Sequence, residues 1–386
     1  MKIAFILGTR PEIIKMSPLI KLCEAEQIDY FLVHSGQHFS YKMTEVFFQQ
    51  LGLKPPQYNV ETSKILHKGI VEKKSHKEVF ENPDGCLHHG KQLGLILGKT
   101  EEILFKENPD FVLVQGDTNT TLAGALAAVK LQHKIGHVEA GLRSYDPRMP
   151  EEINRILTDR ISDFLFCPTT NQRDILLSEG IEKDKIFVTG NTIVDVVFSY
   201  QKKIEVLADK VLAKLNLDPD KYFLLTTHRE ENVEDFQHLF EILDSIDRVA
   251  KHLGIPTVFP VHPRTEQKIQ EKIDTSQLQI RLIKPLGFFE FISLEKKARL
   301  VFTDSGGIQE ESCILKTPCI TLRSTTERPE TLQVNANRLS GPRYDELLEN
   351  VRAMMKREKN WPNPFGKGDT AQKILSVLKS KRNRPS

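Results

Sequence analysis

Two carboxylates stand where the predicted secondary structure of the chain changes, Glu139 and Glu151. Residues 135–138 alternate in character, which predicts a strand that ends just before Glu139. Pro150 suits the first position of a helix, so Glu151 is expected in its first turn. Because the carboxyl ends of parallel strands line the ligand crevice of an open sheet, both side chains could face one bound molecule. The alternative is a solvated loop whose charges form ordinary ion pairs.

The helix predicted from Pro150 onward also carries apolar residues at helical spacing. Ile153, Ile156 and Leu157 would lie on one face of it. We therefore expect these three side chains to form the buried stripe of the helix.

Two further polar side chains follow predicted strands directly. Asp117 comes after the strand predicted over residues 110–115, and either caps the next helix or adds an acid at the ligand edge. His228 follows the apolar run that begins at Tyr222, beside Arg229. A lone histidine is usually structural, but one at a strand end beside arginine is a ligand candidate.

The first strand, residues 2–7, leads through a turn into a helix that carries two basic residues. Thr9 and Glu12 have the spacing of a capping box, and this places Arg10 and Lys15 near a helix N-terminus that attracts anions. For Arg10 the alternative is a solvated helix cap. The turn contains one glycine, Gly8, so it lacks the dinucleotide fingerprint and a nicotinamide cofactor is disfavoured.

The strongest phosphate signal follows the strand predicted to end at Thr303. The glycines that come next allow backbone amides to approach a phosphate at the start of a helix. Glu311, one turn inside that helix, would repel phosphate but could accept hydrogen bonds from ribose hydroxyls. Arg328 is available for a diphosphate. The residues of the turn are Ser305, Gly306 and Gly307.

Aromatic residues follow the turn at residues 285–287. Phe288, Phe289 and Phe291 are either core residues, or one of them stacks on a nucleotide base. The segment at residues 94–100, GLILGKT, is not a phosphate loop, because its glycines are too close together and it lies within a helical pattern.

Composition sets limits on the class of protein. At 386 residues the chain can form two domains, and its net charge of +2 recommends neither nucleic acid nor an anionic membrane as a partner. The five scattered cysteines are typical of a reduced, cytoplasmic protein. The N-terminus is interpreted as a strand and not a secretory signal, and no apolar run approaches the ~18 residues of a membrane helix.

The segment from Asn59 to Gly90 is polar and without clear periodicity, so it is interpreted as a mobile loop or a short excursion of the chain. It contains potential zinc ligands, but their spacing matches no standard site and a solvated loop is favoured, with no metal predicted. These residues are His67, His76, Cys86, His88 and His89.

Strands and helices alternate along the chain, and a second cycle begins at Tyr222. The polar turn at residues 216–221 is a candidate domain linker, and a hinge near Thr189 is the alternative. A long helix is expected from Thr192 toward Leu215, and a short one at the C-terminus.

Several motifs together closely resemble the non-hydrolysing UDP-N-acetylglucosamine 2-epimerases: GTRPEIIK, GDTNTT, HVEAGLR, MPEEINR, DSGGIQEES and TTERPE, in order over nearly the full length. The resemblance implies an α/β fold of two Rossmann-like domains, glycosyltransferase B-like, with the active site in the interdomain cleft. The domains would be residues 1–189 plus 370–386, and residues 190–369. It further implies a UDP-sugar substrate, no cofactor, a homodimer and a cytoplasmic role in cell-surface polysaccharide biosynthesis.

The resemblance also implies a reaction and residue roles. UDP would leave carbon 1 as a proton leaves carbon 2, and would return with the proton placed on the opposite face. By matching motif positions, the catalytic residues would be Asp117, Glu139, Glu151 and His228. The nucleotide-binding residues would be Arg10, Lys15, Phe291, Ser305, Gly306, Gly307, Glu311 and Arg328. Exchange on both faces of one carbon needs more than one acid or base, which clustered carboxylates and a histidine supply.

The chain departs from the family pattern at two places. The segment over about residues 60–90 is longer, and Glu230 replaces the second arginine of an HRREN motif. In bacterial relatives a second substrate molecule activates the enzyme through nearby basic and glutamine residues, and Gln37, Arg229 and His262 persist here.

Other functions remain open at this point. The substrate could be a modified UDP-N-acetyl sugar, or the enzyme could hydrolyse its product to N-acetylmannosamine and UDP. A retaining glycosyltransferase would share the fold, but such enzymes often pair two glutamates eight residues apart, and Cys319 stands eight residues after Glu311. A non-catalytic UDP-sugar sensor is the binding-protein alternative.

Overall fold

The computed structural model describes residues 1–37, 41–62, 89–227, 236–261, 263–272 and 278–382. It divides into two compact units, one of residues 1–196 with the C-terminal segment from Gly366, and one of residues 197–365. The domain boundaries predicted from the sequence, at 189/190 and 369/370, stay a prediction. His228, Arg229, Glu230 and His262 lie outside the described residues, as does most of the segment interpreted as a mobile loop.

The first unit is built on a seven-stranded sheet in which all neighbouring strands are parallel, in the order β3-β2-β1-β4-β5-β6-β7. Its strands read as short apolar runs because helices cover both faces of a parallel sheet. The strands are β1 (Lys2–Leu7), β2 (Asp29–His34), β3 (Tyr58–Asn59), β4 (Phe111–Gln115), β5 (Lys134–Val138), β6 (Phe164–Cys167) and β7 (Ile186–Val188).

Helices follow these strands in the first unit. They are α1 (Arg10–Ala25), α2 (Tyr41–Leu51), α3 (His89–Glu107), α4 (Asn119–Lys130), α5 (Pro150–Ile161), α6 (Thr170–Ser178) and α7 (Thr192–Ser199), whose last residues belong to the second unit. The run GLILGKT lies within α3, which confirms that it is not a phosphate loop.

Small residues let α4 lie close against the first sheet. A methyl group added at Gly124 would stand 2.9 Å from Ile6 Cγ2, so a larger side chain would push the helix away from β1. One buried apolar cluster contains Ala4, Ile6 and Val112 of the sheet and Ala125, Ala127 and Ala128 of α4. The packing fixes the turn before α4 relative to the end of β1.

The second unit is built on a six-stranded sheet, again with all neighbouring strands parallel, in the order β10-β9-β8-β11-β12-β13. Its strands are β8 (Phe223–Thr226), β9 (Thr257–Pro260), β10 (Ile280–Ile283), β11 (Leu300–Thr303), β12 (Cys319–Thr321) and β13 (Asn337–Leu339). Its helices are α8 (Gln201–Leu215), α9 (Phe236–Leu253), α10 (Pro263–Lys272), α11 (Phe288–Lys297), α12 (Gly306–Leu315), α13 (Pro329–Gln333) and α14 (Tyr344–Met355). Both strand orders are those of Rossmann-like sheets.

The helix expected from Thr192 toward Leu215 is in fact two helices, α7 and α8. Tyr200 separates them with a non-helical backbone (φ −108°, ψ 12°), and its ring centroid lies 4.7 Å from that of Phe289. The prediction of one helix was wrong because the apolar periodicity is similar on both sides of the break.

The last helix, α15 (Thr370–Arg382), confirms the short C-terminal helix and packs against α1 in the first unit. Asp195 of α7 accepts hydrogen bonds from the backbone N–H groups of Thr370 (3.3 Å) and Ala371 (2.9 Å). Because the first N–H groups of a helix have no partner within it, this carboxylate stabilises the start of α15. Burial raises the pKa of Asp195.

Candidate active site

In each sheet the strand order reverses at one pair of neighbours, β1 with β4 and β8 with β11. Ligands of open α/β sheets bind outside the carboxyl ends of the strands at such a point. Gly8 and Thr9 follow β1, and Gly116 and Asp117 follow β4. Asp304 and Ser305 follow β11 in the second unit. The predicted strand ends are confirmed here.

Glu139 follows β5 and is held in an unusual backbone conformation. Its φ is +71°, in the left-handed region that costs a residue with a side chain ~1–3 kcal/mol. Its carboxylate is buried and its Oε2 accepts hydrogen bonds from Lys15 Nζ (2.5 Å) and Gln115 Nε2 (2.8 Å). The backbone N–H of Glu139 donates to the Phe166 carbonyl (3.1 Å). Surrounding contacts therefore over-determine the position of this carboxylate.

Lys15 was placed by the resemblance among the nucleotide-binding residues. In the structure it lies one turn inside α1, is buried, and forms an ion pair with Glu139. Gln115, the second donor to Glu139, was not singled out from the sequence. It is the last residue of β4. A polar residue at the end of an otherwise apolar strand is the sequence feature that could have identified it.

Asp117 lies in the turn after β4 and pairs with Arg155 of α5. The same guanidinium donates to Glu152 Oε2 (2.7 Å), so it joins two carboxylates. Asn154 Nδ2 donates to the Asp117 backbone carbonyl (3.0 Å). The cap of α4 is Thr118, whose hydroxyl accepts from Thr121 N–H (3.2 Å). Asp117 is therefore not the helix cap, and its carboxylate is left for other contacts.

Glu12 connects the turns after β1 and β4. Its carboxylate accepts hydrogen bonds from the backbone N–H groups of Gly8 (2.6 Å) and Thr9 (2.7 Å). It also accepts from the hydroxyls of Thr118 (2.5 Å) and Thr121 (3.1 Å). Burial raises the pKa of Glu12, and the hydrogen bonds oppose that shift. The glutamate that we predicted as part of a capping box thus also fixes the turn that carries Asp117.

The orientation of α5 is opposite to the predicted one. Ile153, Ile156 and Leu157 are 49%, 37% and 45% exposed, whereas the polar side chains of the helix are buried. These are Glu152, Asn154, Arg155, Thr158 and Asp159. The prediction of a buried apolar stripe was wrong because the polar face is paired with charges and backbone groups from distant parts of the chain.

Glu151 lies in the first turn of α5, as predicted, and is exposed. Positions three and four apart on a helix are neighbours, at about 5–6 Å between Cβ atoms. The neighbours of Glu151 in this sense are Asn154 and Arg155, the two residues that contact Asp117. Glu151 therefore lies on the side of α5 that faces the turn after β4.

Arg10 is the first residue of α1, and its Cζ lies 4.6 Å from the ring centroid of Phe47 on α2. This cation–π contact orients the guanidinium beside the helix N-terminus. Arg10 is thus a half-buried residue in contact with a ring, which differs from the solvated cap that was the alternative.

In the second unit α12 begins at Gly306, directly after Ser305, as the glycine-rich turn predicted. A methyl group added at Gly306 would lie 3.6 Å from Arg328 Cζ, so Arg328 stands beside this helix N-terminus. Its guanidinium donates to Glu310 and also approaches the Glu327 carbonyl (3.4 Å). Ser305, Gly306, Gly307 and Arg328 are therefore brought together.

Glu311 lies one turn inside α12, close to Glu295 of α11. Glu295 is fully buried, and its Oε1 accepts a hydrogen bond from the Ser312 hydroxyl (2.7 Å). Burial raises the pKa of Glu295 well above its ordinary value, and the charge of Glu311 raises it further. Glu295 is therefore a buried acid of α11 that contacts α12 at Ser312 and binds its proton more tightly than an exposed glutamate.

The three phenylalanines of α11 differ in burial. Phe288 and Phe289 are core residues, at 4% and 3% exposure. Phe291 is half-buried and packs against the apolar cluster that contains Val211 and Leu294. Of the three, Phe291 is the one that is partly exposed.

The histidine-rich segment is described only from residue 89 onward. His89 begins α3, and its Nδ1 lies 3.1 Å from Asn119 Nδ2. In the described ranges no three side chains of the metal-binding types come together as ligands. The remaining zinc candidates, and the catalytic candidate His228, lie outside those ranges.

The helices of the described ranges include none that is long and apolar enough to span a membrane.

Gln37, Arg229 and His262 match residues that bind an activating substrate in bacterial relatives. Of these three, the structure describes Gln37. Its Oε1 accepts hydrogen bonds from Thr120 N–H (2.9 Å) and the Thr120 hydroxyl (2.7 Å). It is buried and supports the first turn of α4.

Known proteins match the chain over nearly its whole length. The family model for UDP-N-acetylglucosamine 2-epimerase matches residues 21–379. A UDP-N-acetylglucosamine 2-epimerase of Methanococcus maripaludis is 47% identical over 384 residues, 98% of each chain. A UDP-2,3-diacetamido-2,3-dideoxy-D-glucuronate 2-epimerase of Pseudomonas aeruginosa is 38% identical over 383 residues, 98% of this chain and 99% of that one.

A solved structure agrees with these matches. The crystal structure of Methanocaldococcus jannaschii UDP-GlcNAc 2-epimerase in complex with UDP-GlcNAc and UDP has a TM-score of 0.85 at 46% identity. The match covers 98% of this chain and 100% of that one. The predicted fold class of two Rossmann-like, glycosyltransferase B-like domains is confirmed, and the chain belongs to the UDP-N-acetylglucosamine 2-epimerase family.

Proposed function

We propose that the protein is a non-hydrolysing epimerase that interconverts UDP-N-acetylglucosamine and UDP-N-acetylmannosamine without a metal or redox cofactor. The observation that carries the proposal is the pairing of two acids at neighbouring strand ends with cations, Glu139 with Lys15 and Asp117 with Arg155. A buried carboxylate is costly unless a cation and hydrogen bonds accompany it. The first unit thus retains a pair of carboxylates at the edge where a ligand of such a sheet binds.

The reaction makes two demands on these residues. In the first half a base takes the proton from carbon 2, the bond from carbon 1 to the diphosphate breaks, and a double bond forms between the two carbons. In the second half UDP adds back to carbon 1 and an acid delivers a proton to the opposite face of carbon 2. Acid and base groups are therefore needed on both faces, and we assign this work to Asp117, Glu139, Glu151 and His228.

The second unit would hold the nucleotide. Backbone amides at the N-terminus of α12 and the guanidinium of Arg328 would stabilise the diphosphate as it leaves with its charge. We assign Ser305, Gly306 and Gly307 to this task, and Glu311 to the ribose hydroxyls. The partly exposed ring of Phe291 would stack on the base. In the first unit, we assign Arg10 and Lys15 to substrate binding as well, and Lys15 pairs with Glu139.

Isotope exchange tests the proposal directly. Purified protein is incubated with UDP-N-acetylglucosamine in deuterated water, and the sugar nucleotides are analysed by NMR. Deuterium should appear on carbon 2 of both epimers, because each elimination releases that proton to the enzyme and solvent. No exchange with abundant substrate would contradict the proposal, and release of free N-acetylmannosamine would indicate a hydrolysing enzyme.

A second candidate function concerns the sugar alone. The Pseudomonas relative bears the name of a modified UDP-sugar 2-epimerase and matches nearly the whole chain, so the same reaction on a modified N-acetyl sugar is the runner-up. A panel of UDP-N-acetyl sugars in the same assay would rank them by kcat/KM. A higher value for a modified sugar than for UDP-N-acetylglucosamine would replace the leading proposal.

We also propose that the protein forms a homodimer through the exposed apolar face of α5. The polar face of α5 is buried, so Ile153, Ile156 and Leu157 lie together on its exposed face. Val129 on α4, which packs against α5, is 37% exposed, and Phe105 on α3, which packs against α4, is 78% exposed. A second copy of the chain would cover these residues with the same residues of its own, as two-fold symmetry requires.

The four described cysteines are free thiols, which favours a reducing, cytoplasmic location.

A further inference from the structure

His137 of β5 is fully buried two residues before Glu139, and both of its ring nitrogens lie within hydrogen-bond distance of an oxygen. Nδ1 is 2.7 Å from Asp159 Oδ1. Nε2 is 2.8 Å from the backbone carbonyl oxygen of Gly116. The ring therefore connects α5 to the turn after β4.

One hydrogen bond of the ring has a fixed direction. A backbone carbonyl can only accept, so Nε2 carries the proton of its contact with Gly116. The other oxygen of Asp159 accepts from Arg143 Nη1 (2.7 Å) and Gly141 N–H (3.2 Å). Arg143 in turn binds Glu179 through two hydrogen bonds (2.8 and 2.7 Å), so the residue that contacts Nδ1 is itself held in place.

The carbonyl that His137 binds belongs to the peptide group joining Gly116 to Asp117. Gly116 has a φ of +74°, and its N–H donates to the Val138 carbonyl (3.1 Å). The next carbonyl, that of Asp117 itself, accepts from Asn154. Side chains thus hold the peptide groups on both sides of Asp117, and Arg155 holds its carboxylate.

We propose that His137 is a positioning residue for the epimerisation. Its Nε2 proton fixes the plane of the Gly116–Asp117 peptide, while Asp159 fixes the ring. The inference rests on the proposed role of Asp117 in proton transfer. A small rotation of that peptide would move the Asp117 carboxylate away from carbon 2, and a misplacement of ~1 Å can cost ~100-fold in rate.

Two substitutions separate the hydrogen bonds of the ring. The amide nitrogen of glutamine can take the place of Nε2, and that of asparagine the place of Nδ1. His137→Gln should therefore keep the bond to the Gly116 carbonyl, and His137→Asn should lose it. We expect kcat within about 5-fold of wild type for His137→Gln and a loss of about 100-fold for His137→Asn, with KM little changed in both.

The melting temperature of each variant is measured alongside, so that kcat refers to folded enzyme. A purely structural role predicts that the two variants lose stability and keep equal kcat. Equal kcat values, or a slower His137→Gln enzyme, would overturn the inference. Wild-type protein that fails to exchange deuterium would instead refute the proposed function, which keeps the two failures distinct.

A second measurement needs no turnover. In protein labelled with ¹⁵N-histidine, a ring Nε2–H proton that is protected from solvent exchange should be present in the wild type and missing from His137→Gln, which leaves eleven of the twelve histidines. Loss of this proton with the substitution supports the inference. A wild type and a variant with the same protected ring protons would overturn the geometry on which the inference stands.

Discussion

Lys15 Nζ lies 2.5 Å from Glu139 Oε2, and both side chains are less than a tenth exposed. The two residues are 124 positions apart in the sequence, so the pair exists only because β5 ends beside the first turns of α1. The ion pair therefore joins the lysine of the motif GTRPEIIK to the glutamate of the motif HVEAGLR.

Removing the lysine charge should affect both stability and turnover. In Lys15→Met the carboxylate of Glu139 stays buried without its cation, which costs ~3–5 kcal/mol when one partner of a buried pair is removed. Urea unfolding should show a loss of this order, and kcat should fall strongly. The double variant Lys15→Met with Glu139→Gln should regain part of the stability because no charge is left unpaired. Stability unchanged in Lys15→Met would show that the pair is not formed in solution.

Removing the proposed acids should slow turnover without preventing substrate binding. Asp117→Asn and Glu139→Gln keep the shape of the side chains and remove the titrating group, so each should bind UDP yet lose at least ~100-fold in kcat. Binding is measured by calorimetry and turnover by the exchange assay. Near-normal turnover in either variant would remove that residue from the mechanism.

Arg155 should matter through its geometry as well as its charge. Its guanidinium joins Asp117 to Glu152, and the single ammonium of Arg155→Lys cannot hold both carboxylates in the same way. We expect kcat to fall by ~10-fold or more, because a small displacement of an acid–base group causes a rate loss of this size. Arg160→Lys, an exposed change on the same helix, is the matched control. Equal effects of the two substitutions would argue against the positioning of Asp117 by Arg155.

The buried acid Glu295 predicts a pH dependence of stability. Because burial raises its pKa in the folded state above the ordinary value of 4.5, the native protein binds this proton more tightly than the unfolded chain. Its contribution is fully present below pH 4.5 and is lost as pH rises toward the folded-state pKa. Glu295→Gln stays neutral at every pH, so its stability relative to wild type should increase from pH 5 to pH 8 in urea unfolding. A difference that does not change with pH would contradict the assignment.

The proposed dimer can be tested on α5. Ile153→Lys places a charge in the outward apolar face, and light scattering after gel filtration should show the wild type at the mass of two chains and the variant at the mass of one. Val206→Lys is the control, because Val206 is 60% exposed on α8 in the second unit. A wild-type monomer, or a variant that remains dimeric, would exclude this face as the interface.

The sequence by itself determined the elements that depend on short-range chemistry. The apolar run of β1, the paired Thr9 and Glu12 at the start of α1, and Pro150 at the start of α5 each act within a few residues. For the same reason Ser305–Gly306–Gly307 could be placed at a helix start. The motifs, taken in order, were also sufficient to predict the family and the fold class.

The tertiary structure decided which partners these residues meet. The apolar stripe of α5 faces outward because Arg155 and Asp159 find buried charges, which no periodicity within the helix reveals. Lys15 contacts Glu139 over 124 residues of sequence, and His137 contacts Gly116 because β4 and β5 are neighbours in the sheet. Local propensity depends on adjacent residues, whereas the pairing of buried charges depends on the whole fold.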